Sequence, residues 1–356
     1  MIKHLSELTR DMSARTGHRQ TRRNLLVNSG RATLIGVAFA AGLGRVRAAG
    51  AATQVTIGLA SAPCQAPTYA AAAQGFFQDE GLDAKVTVFG TNGGGGDVLA
   101  AISRGDADAG MVIITNIIPP RLTPGRALGD VVLTAPLQRG CISLLVPANS
   151  EVQSLEDLRG QKVAGGKYWY GTALAEAGID PDEIAWSASP TPADIFATLQ
   201  SGEFAAVQSG DGQGALLEAV GVARMIAMNN MPPQENNYCC ACTMNASAVT
   251  SDRSKAGAIT RALMRGSAWA EAHRSETAEV MRPSMTLPSL REITQEDMEA
   301  ALAMQAFVPM AEAARPILVD EFDQYVKYGL SVDTPMTAAT LVNRIFFPVT
   351  GELQAA

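Results

Sequence analysis

The chain has 356 residues, of which 47% are hydrophobic and 18% are charged, and its formal net charge is −7. This length allows a large core divided between two lobes, and the composition is ordinary for a soluble globular protein. The acidic balance gives no basic field for nucleic acid or an anionic membrane, so neither is an expected partner.

Residues 1–51 have the pattern of an export signal. Residues 21–26 (TRRNLL) resemble a twin-arginine motif, an apolar run follows at 32–43, and small residues around Ala51 fit a cleavage site. A membrane-anchor helix is the alternative, but the run is shorter than the roughly 20 residues that span a bilayer. We therefore expect a twin-arginine signal peptide, cleaved near Ala51, and a periplasmic protein.

Strands and helices alternate after the signal. Strands are predicted at 54–60, 86–89, 131–136 and 141–147, helices at 68–74 and 98–103, and a helix-to-strand turn at 104–113. The glycine-rich loop at 91–97 opens a helix, where free amides can bind an anion. It lacks the lysine and spacing of phosphate-binding motifs, so a flexible connector explains it equally well. The alternation indicates an α/β protein with a mainly parallel sheet.

A second unit of similar build begins near residue 154. A short capped helix at 154–160, a strand at 162–166 and a helix from 167 are followed by a helix at 193–199, and residues 199–206 repeat the helix-glycine-strand pattern of 102–109. From residue 253 the chain is mostly helical, with pieces at 253–274, 276–281, 295–308, 317–327 and 336–346. We expect these helices to pack on the first lobe.

Three of the five cysteines lie at 239–242, between a strand at 224–228 and the C-terminal helices. If this stretch is a strand, Cys240 and Cys242 share one face and Cys239 lies on the other. Three interpretations stay open: a disulfide or redox site, a soft-metal site, and packing of small apolar side chains.

Catalytic patterns are missing from the sequence after the signal. It contains one histidine, His273, on a polar helix, and neither a Ser-His-Asp arrangement nor a Gly-x-Ser-x-Gly elbow. A cysteine nucleophile without a neighbouring base would be weak. We therefore predict that the protein is not an enzyme.

The ordered motifs resemble the periplasmic solute-binding proteins of ABC importers. The resemblance is carried by residues 72–82 (AAQGFFQDEGL), 105–110 (GDADAG), 145–147 (LVP) and 154–163 (SLEDLRGQKV), and it covers nearly all of 54–346. It is nearest to the branch that includes sulfonate, taurine and nitrate binders and the thiamine-pyrimidine synthase.

This resemblance implies a type II periplasmic-binding fold with two lobes, joined by two crossing hinge strands, that close on a ligand. Lobe 1 would comprise 52–140 and 243–356, and lobe 2 would comprise 141–242. The crossings would bring Cys141 close to the 239–242 cluster and place Cys64 at the cleft edge.

The synthase branch carries a cysteine-rich run at the returning strand, which it uses with iron. Here Ala241 interrupts the run, and Val112 and Asn116 stand where that enzyme has lysine and histidine. The pyrimidine-forming chemistry is therefore not expected.

Ligand contacts are expected on loops at the carboxyl ends of strands. The candidates are Cys64, Gln65, Thr68, Asn92, Gly94, Thr115, Asn116, Tyr168, Trp169, Tyr170, Thr172 and Asp211. Candidate metal ligands are Cys64, Cys141, Cys240 and Cys242, and candidate disulfide partners are Cys141, Cys239 and Cys240. The aromatic run 168–170 would either stack on a ligand or pack at a helix start.

The sequence thus predicts the periplasmic solute-binding component of an ABC importer. It would be a monomer that carries a small organic molecule or anion to an inner-membrane permease, with a thiolate-bound metal as the one candidate cofactor. The alternatives are a periplasmic thiol- or metal-binding protein of the same fold and an enzyme related to the pyrimidine synthase that has lost its lysine and histidine.

Overall fold

The computed structural model describes residues 52–90, 95–118, 130–287, 290–330 and 336–353. The predicted signal peptide and the candidate site residues Asn92 and Gly94 lie outside these ranges. No helix within the described ranges is both long enough and apolar enough to cross a membrane.

Within the described ranges, ten strands form two five-stranded sheets. The first contains β1 (Thr53–Ala60), β2 (Leu82–Gly90), β3 (Ala109–Ile113), β4 (Val131–Gln138) and β10 (Cys240–Asn245), in the order β2-β1-β3-β10-β4. The second contains β5 (Ser143–Pro147), β6 (Lys162–Ala164), β7 (Ala185–Ser187), β8 (Ala206–Ser209) and β9 (Ala223–Met228), in the order β7-β6-β8-β5-β9.

Twelve α-helices are found in the described part of the chain. They are α1 (Ala66–Ala73), α2 (Phe76–Asp79), α3 (Gly95–Arg104), α4 (Lys167–Glu176), α5 (Ile195–Gln200), α6 (Gln213–Ala219), α7 (Ala246–Ser251), α8 (Arg253–Ala272), α9 (Arg274–Met281), α10 (Gln295–Ala303), α11 (Arg315–Lys327) and α12 (Ala338–Ile345). The predicted α/β class is confirmed.

Each sheet has one strand that runs antiparallel to both of its neighbours. In the first sheet this strand is β10, between β3 and β4, and in the second it is β5, between β8 and β9. Both strands follow a crossing: β5 comes directly after the chain leaves the first sheet, and β10 comes directly after it returns. The two sheets are therefore linked by two passages of chain, as the resemblance to the solute-binding proteins implies.

Edge strand β4 is buried along its whole length. Its outer side is covered by C-terminal segments, since Phe347 N donates to Leu133 O and Met310 N donates to Pro136 O. Pro136 has no N–H to donate and is tolerated on an edge strand. The C-terminal segments that cover this edge block its pairing with another chain.

The C-terminal helices contact both lobes, which differs from the expectation that they pack on the first lobe. Thr172 of α4 donates to the Gln324 side chain of α11 at 3.3 Å, and the Trp169 and Tyr325 rings lie 4.9 Å apart. Helix α10 packs against α6 of the second sheet. Local sequence patterns cannot specify these contacts, because each joins segments more than 70 residues apart.

Candidate functional site

The two crossings meet at a hinge that a side-chain amide and a disulfide hold together. The Asn229 Oδ1 atom, on the returning passage, accepts hydrogen bonds from Cys141 N and Ile142 N of the outgoing passage, both at 3.0 Å. Cys141 and Cys239 form a disulfide between the same two passages. Both cysteines were candidate disulfide partners.

A group of sulfur atoms surrounds this disulfide. The ligand atoms of Cys64, Cys141 and Cys240 all lie within 4.8 Å of one another, near enough to share a metal ion, and Cys141 Sγ is 3.6 Å from Cys240 Sγ. Cys242 does not belong to this group, since its sulfur lies 3.9 Å from Thr260 Oγ1. Residues two apart on a strand are separated by roughly 6.5–7 Å, so Cys242 meets a different neighbour from Cys240.

The two thiols of Cys64 and Cys242 are held in the protonated form. Contact with the Cys240 thiol, burial and the nearby Asp211 carboxylate raise the pKa of Cys64 well above its ordinary value. Burial raises the pKa of Cys242 to about 11. Because the thiolate is the nucleophile and the metal ligand, these surroundings oppose both roles at neutral pH.

The lobes touch at Asp211, which follows β8 in the second sheet. Its Oδ2 atom accepts a hydrogen bond from Gly95 N at the start of α3, at 3.3 Å, and its Oδ1 atom lies 3.8 Å from Cys64 Sγ. The next residue, Gly212, donates from its N–H to Cys141 O at 3.0 Å. The structure thus brings Cys64 and Asp211, both candidate ligand contacts, together between the lobes.

Several buried polar groups close in sequence to Cys64, Cys141 and Asp211 have no hydrogen-bond partner among the described residues. Gln65 donates from Nε2 to Met111 O at 3.2 Å, but its Oε1 atom has no such partner. The hydroxyls of Thr68, Ser143 and Ser209 are in the same condition, and all four residues have no exposed surface. Such groups are costly unless something bonds them, so they are candidate ligand contacts.

Ser143 and Ser209 were not predicted from the sequence. They lie opposite each other in the β5–β8 register. Each occupies the end of a short apolar strand, and a single serine in such a strand gives no sequence signal of a ligand contact. Their pairing, which only the fold reveals, is the signal that identifies them.

The aromatic run is largely used for packing. Trp169 and Tyr170 are buried; Trp169 packs on Tyr325, and Tyr170 lies parallel to Trp186 with ring centroids 6.4 Å apart. Tyr168 is half-buried, and burial raises its pKa while the nearby Thr115 hydroxyl lowers it. Tyr168 and Thr115, both candidate contacts, therefore approach each other from different lobes.

Two further candidates within the described residues are Asn116 and Thr172. Asn116 is exposed, and the Thr172 hydroxyl faces α11. Val112, at the synthase's lysine position, is buried and pairs with Ala241 in the first sheet. His273, the histidine that follows the signal, is half-buried, and its ring stacks on Trp269 with centroids 4.5 Å apart.

Two surface depressions, of about 600 and 630 Å³, lie over the C-terminal helices. Neither is lined by a candidate site residue. They are therefore separate from the interlobe site.

Comparison of the sequence with known protein families gives one match. The sequence model of the NMT1-like family matches residues 48–282. No curated protein matches the chain.

Solved structures share the fold at low sequence identity. The periplasmic nitrate-binding protein NrtA from Synechocystis PCC 6803 is 15% identical, with a TM-score of 0.64 over 83% of this chain and 86% of that one. The alkanesulfonate-binding protein SsuA from Xanthomonas axonopodis pv. citri, bound to MOPS, is 17% identical, with a TM-score of 0.58 over 79% and 96%. The expected periplasmic-binding-protein fold is confirmed.

The same fold also occurs in an enzyme. The desulfurization enzyme DszB is 16% identical, with a TM-score of 0.51 over 82% of this chain and 99% of that one. Its TM-score is lower than those of the two binding proteins. Because one fold hosts several functions, function has to be argued from the site.

Proposed function

Because the chain belongs to the NMT1-like family, we propose that it is the periplasmic solute-binding component of an ABC importer. It captures a small molecule between its two lobes and delivers it to a permease in the inner membrane. It works as a monomer, exported through a cleaved twin-arginine signal peptide. The solved binding proteins of the same fold support this proposal.

The observation that carries it is the meeting of the lobes at Asp211. The contacts with Cys64 and Gly95 join the end of β8 to the ends of two elements of the first lobe. Lobes connected by two passages of chain close by hinge bending, and a closed pair encloses whatever binds between them. The buried unpartnered groups of Gln65, Thr68 and Ser209 can then bond to the enclosed molecule.

The first test identifies what the protein carries. The protein is exported, purified from periplasm without added solutes, and measured by native mass spectrometry and again after denaturation. We expect a stoichiometric small molecule of defined mass, which is then assayed by calorimetry with stripped protein. Protein that carries no molecule, and that binds none from a panel of sulfonates, nitrate, pyrimidines, aromatic acids and amines, would contradict the proposal.

A pair of variants separates ligand binding from packing. Thr68→Val removes a buried hydroxyl that has no partner among the described residues, so the free protein should be no less stable, while affinity falls roughly fivefold for one neutral hydrogen bond. Thr260→Val is the matched control, because its hydroxyl lies 2.9 Å from Thr134 Oγ1 and 2.8 Å from Ala256 O. It should lower stability and leave affinity unchanged.

The second candidate function is soft-metal binding, which the three clustered sulfurs favour. Cys141 is held in the disulfide with Cys239, so only Cys64 and Cys240 of that group are free thiols. A three-thiolate site therefore requires reduction of the hinge disulfide. Elemental analysis with and without reductant tests it: metal that is stoichiometric only in reduced protein, and lost in Cys64→Ser, supports this function.

A further inference from the structure

A buried carboxyl group lies beside the hinge, on a helix that contacts both lobes. Glu321 of α11 has no exposed surface, and its Oε2 atom accepts a hydrogen bond from Tyr238 N at 2.8 Å. Tyr238 directly precedes Cys239 of the hinge disulfide. The other oxygen of Glu321, Oε1, has no hydrogen-bond partner among the described residues. Ligand capture at the Asp211 turn does not use this carboxyl group.

Helix α11 contacts both ends of the returning passage, which runs from β9 to β10. At the β10 end, the Glu321 side chain bonds to Tyr238 N. At the β9 end, Tyr325 lies beside Asn229, the residue whose Oδ1 atom bonds to the outgoing passage. Glu321 and Tyr325 are about one helical turn apart. A bend in the returning passage therefore has to separate α11 from one of its two ends.

Three polar groups meet where α11 faces this passage. Burial raises the pKa of the Tyr325 hydroxyl well above its ordinary value, the neighbouring Glu321 carboxylate raises it further, and the Asn229 amide lowers it. Glu321 Oε1, the Tyr325 hydroxyl and Asn229 Nδ2 nevertheless make no hydrogen bond of normal geometry with a described residue. A neutral carboxyl group brings an O–H donor to this group, whereas a carboxylate brings acceptors alone.

The charges around Glu321 compensate its ionised form poorly. Burial raises the pKa of Glu321 from 4.5 to about 8, although the Tyr238 N–H, the Tyr325 hydroxyl and the Arg139 guanidinium lower it. The neighbouring Asp320 carboxylate raises it. The Arg139 guanidinium donates to the Tyr238 hydroxyl at 3.4 Å instead of to the carboxylate. A closed form that buries this group therefore binds the proton more tightly than an open form in which water reaches it, so opening becomes easier as pH rises.

We propose that Glu321 is a pH-sensitive switch of the hinge: its neutral carboxyl group keeps α11 on both ends of the returning passage and favours closed lobes, and loss of its proton to solvent favours opening. The inference rests on the proposed closing of the lobes and adds a regulation to it, since a smaller closed fraction weakens ligand binding by the same factor. Its test needs no ligand, so its failure leaves the proposed capture of a ligand to its own experiment.

Hydrogen exchange of the outgoing passage reports on the hinge at amides that do not bond to Glu321. The Cys141 and Ile142 amides, both bonded to Asn229 Oδ1, are followed by mass spectrometry at pH 5, 6, 7, 8 and 9. The wild-type rate is divided by that of Glu321→Gln at the same pH, which cancels the direct effect of pH on exchange. Glu321→Gln cannot ionise, and Glu176→Gln, at an exposed position on α4, is the control.

We expect the ratio of wild type to Glu321→Gln to rise by up to about tenfold per pH unit, the limit for one proton, and to level off above the pKa of about 8. The ratio of wild type to Glu176→Gln should stay constant. Wild-type exchange should also be faster than global unfolding allows, as measured by urea denaturation at the same pH.

A ratio of wild type to Glu321→Gln that does not change with pH overturns the proposal, and so does exchange that global unfolding fully accounts for. If Glu321→Gln does not fold, small-angle scattering of wild type decides. A larger radius of gyration at pH 9 than at pH 6, with unchanged circular dichroism, supports the switch, and an equal radius overturns it.

Discussion

Adjacent cysteines have different roles at the hinge. Cys239 forms the disulfide with Cys141, whereas Cys240 keeps a free thiol whose sulfur lies 3.6 Å from Cys141 Sγ. Exchange requires a thiolate within reach of a disulfide sulfur. Attack by Cys240 on Cys141 would form a new bond and release Cys239 as the thiolate, so the hinge contains both partners of an internal exchange.

The Cys239→Ser variant tests this proximity. Cys141 is left beside Cys240, so oxidised glutathione, which takes two electrons and two protons from the pair and is itself reduced to two thiols, should join Cys141 to Cys240. Peptide mapping by mass spectrometry under non-reducing conditions measures the linkage. Cys242→Ser is the control and should keep the Cys141–Cys239 bond, because Cys242 lies beside Thr260 instead. A free Cys141 in oxidised Cys239→Ser would contradict this expectation.

Glu321 gives the molecule a pH-dependent stability. It is fully buried on α11, and its carboxylate accepts a hydrogen bond from Tyr238 N at 2.8 Å. Burial raises the pKa of Glu321 from 4.5 to about 8, although the hydrogen bond from Tyr238 lowers it. Between these values the folded protein binds one proton more than the unfolded chain, so this group's contribution to stability decreases as pH rises from about 4.5 to about 8.

Glu321→Gln keeps the hydrogen-bond acceptor and cannot ionise. Its free energy of unfolding should therefore fall less steeply than that of wild type across this interval, and it should be the more stable protein at pH 8–9. Urea denaturation at pH 5, 6, 7, 8 and 9 measures this difference. Glu176→Gln, at an exposed position on α4, should follow the wild-type slope. Parallel curves for Glu321→Gln and wild type would show that Glu321 does not titrate in this range.

At the scale of elements, the sequence predicts the features that depend on local hydrophobic periodicity. The order of strands and helices follows from it, and so does the break between α8 and α9 near His273. The candidate site was predicted in part, because Cys64 and Asp211 follow strands whose carboxyl ends face the cleft. Ser143, Ser209 and the contact of α11 with α4 could not be predicted, because they depend on pairing between distant segments.

The close packing of α1 against α8 depends on Gly266. A Cβ atom on Gly266 would lie 2.2 Å from the backbone oxygen of Pro67, which cannot move away as a flexible side chain would. Gly266→Ala should therefore lower the free energy of unfolding by about 1–3 kcal/mol, although alanine is the better helix former. In Gly96→Ala the new methyl meets nothing within 4 Å, so its stability should stay the same or rise by up to about 1 kcal/mol. Urea denaturation compares them, and equal stabilities would contradict the close approach.

At the scale of the molecule, opening of the lobes has to separate the contacts at the Asp211 turn, and it also has to accommodate the packing of α10 on α6. Asp211 would leave Cys64 and Gly95, and Gly212 would leave Pro63, while the hinge disulfide keeps the two crossings together. Helix α11 packs on α4, so we expect it to move with the second lobe. Ligand affinity then depends on the fraction of molecules that can close, and anything that disfavours closure weakens binding by the same factor.

A side chain at Gly212 should act as a wedge between the lobes. A Cβ atom there would lie 3.1 Å from Pro63 Cβ and 3.4 Å from Cys64 N of the first lobe. Asparagine tolerates the left-handed backbone of Gly212, so Gly212→Asn adds volume with little backbone strain. Overpacking costs about 1–3 kcal/mol, and 1.4 kcal/mol is a factor of ten, so affinity for the co-purified ligand should fall roughly tenfold.

The matched control is Gly202→Asn, which makes the same substitution in the same lobe. Gly202 has a φ of +69°, and a Cβ atom there meets nothing within 4 Å, so this variant should bind as wild type does. Calorimetry gives the affinities, and small-angle scattering of the ligand-bound proteins should give a larger radius of gyration for Gly212→Asn alone. If both variants bind equally well, Gly212 is not compressed on closure, and the Asp211 turn does not lie where the lobes meet.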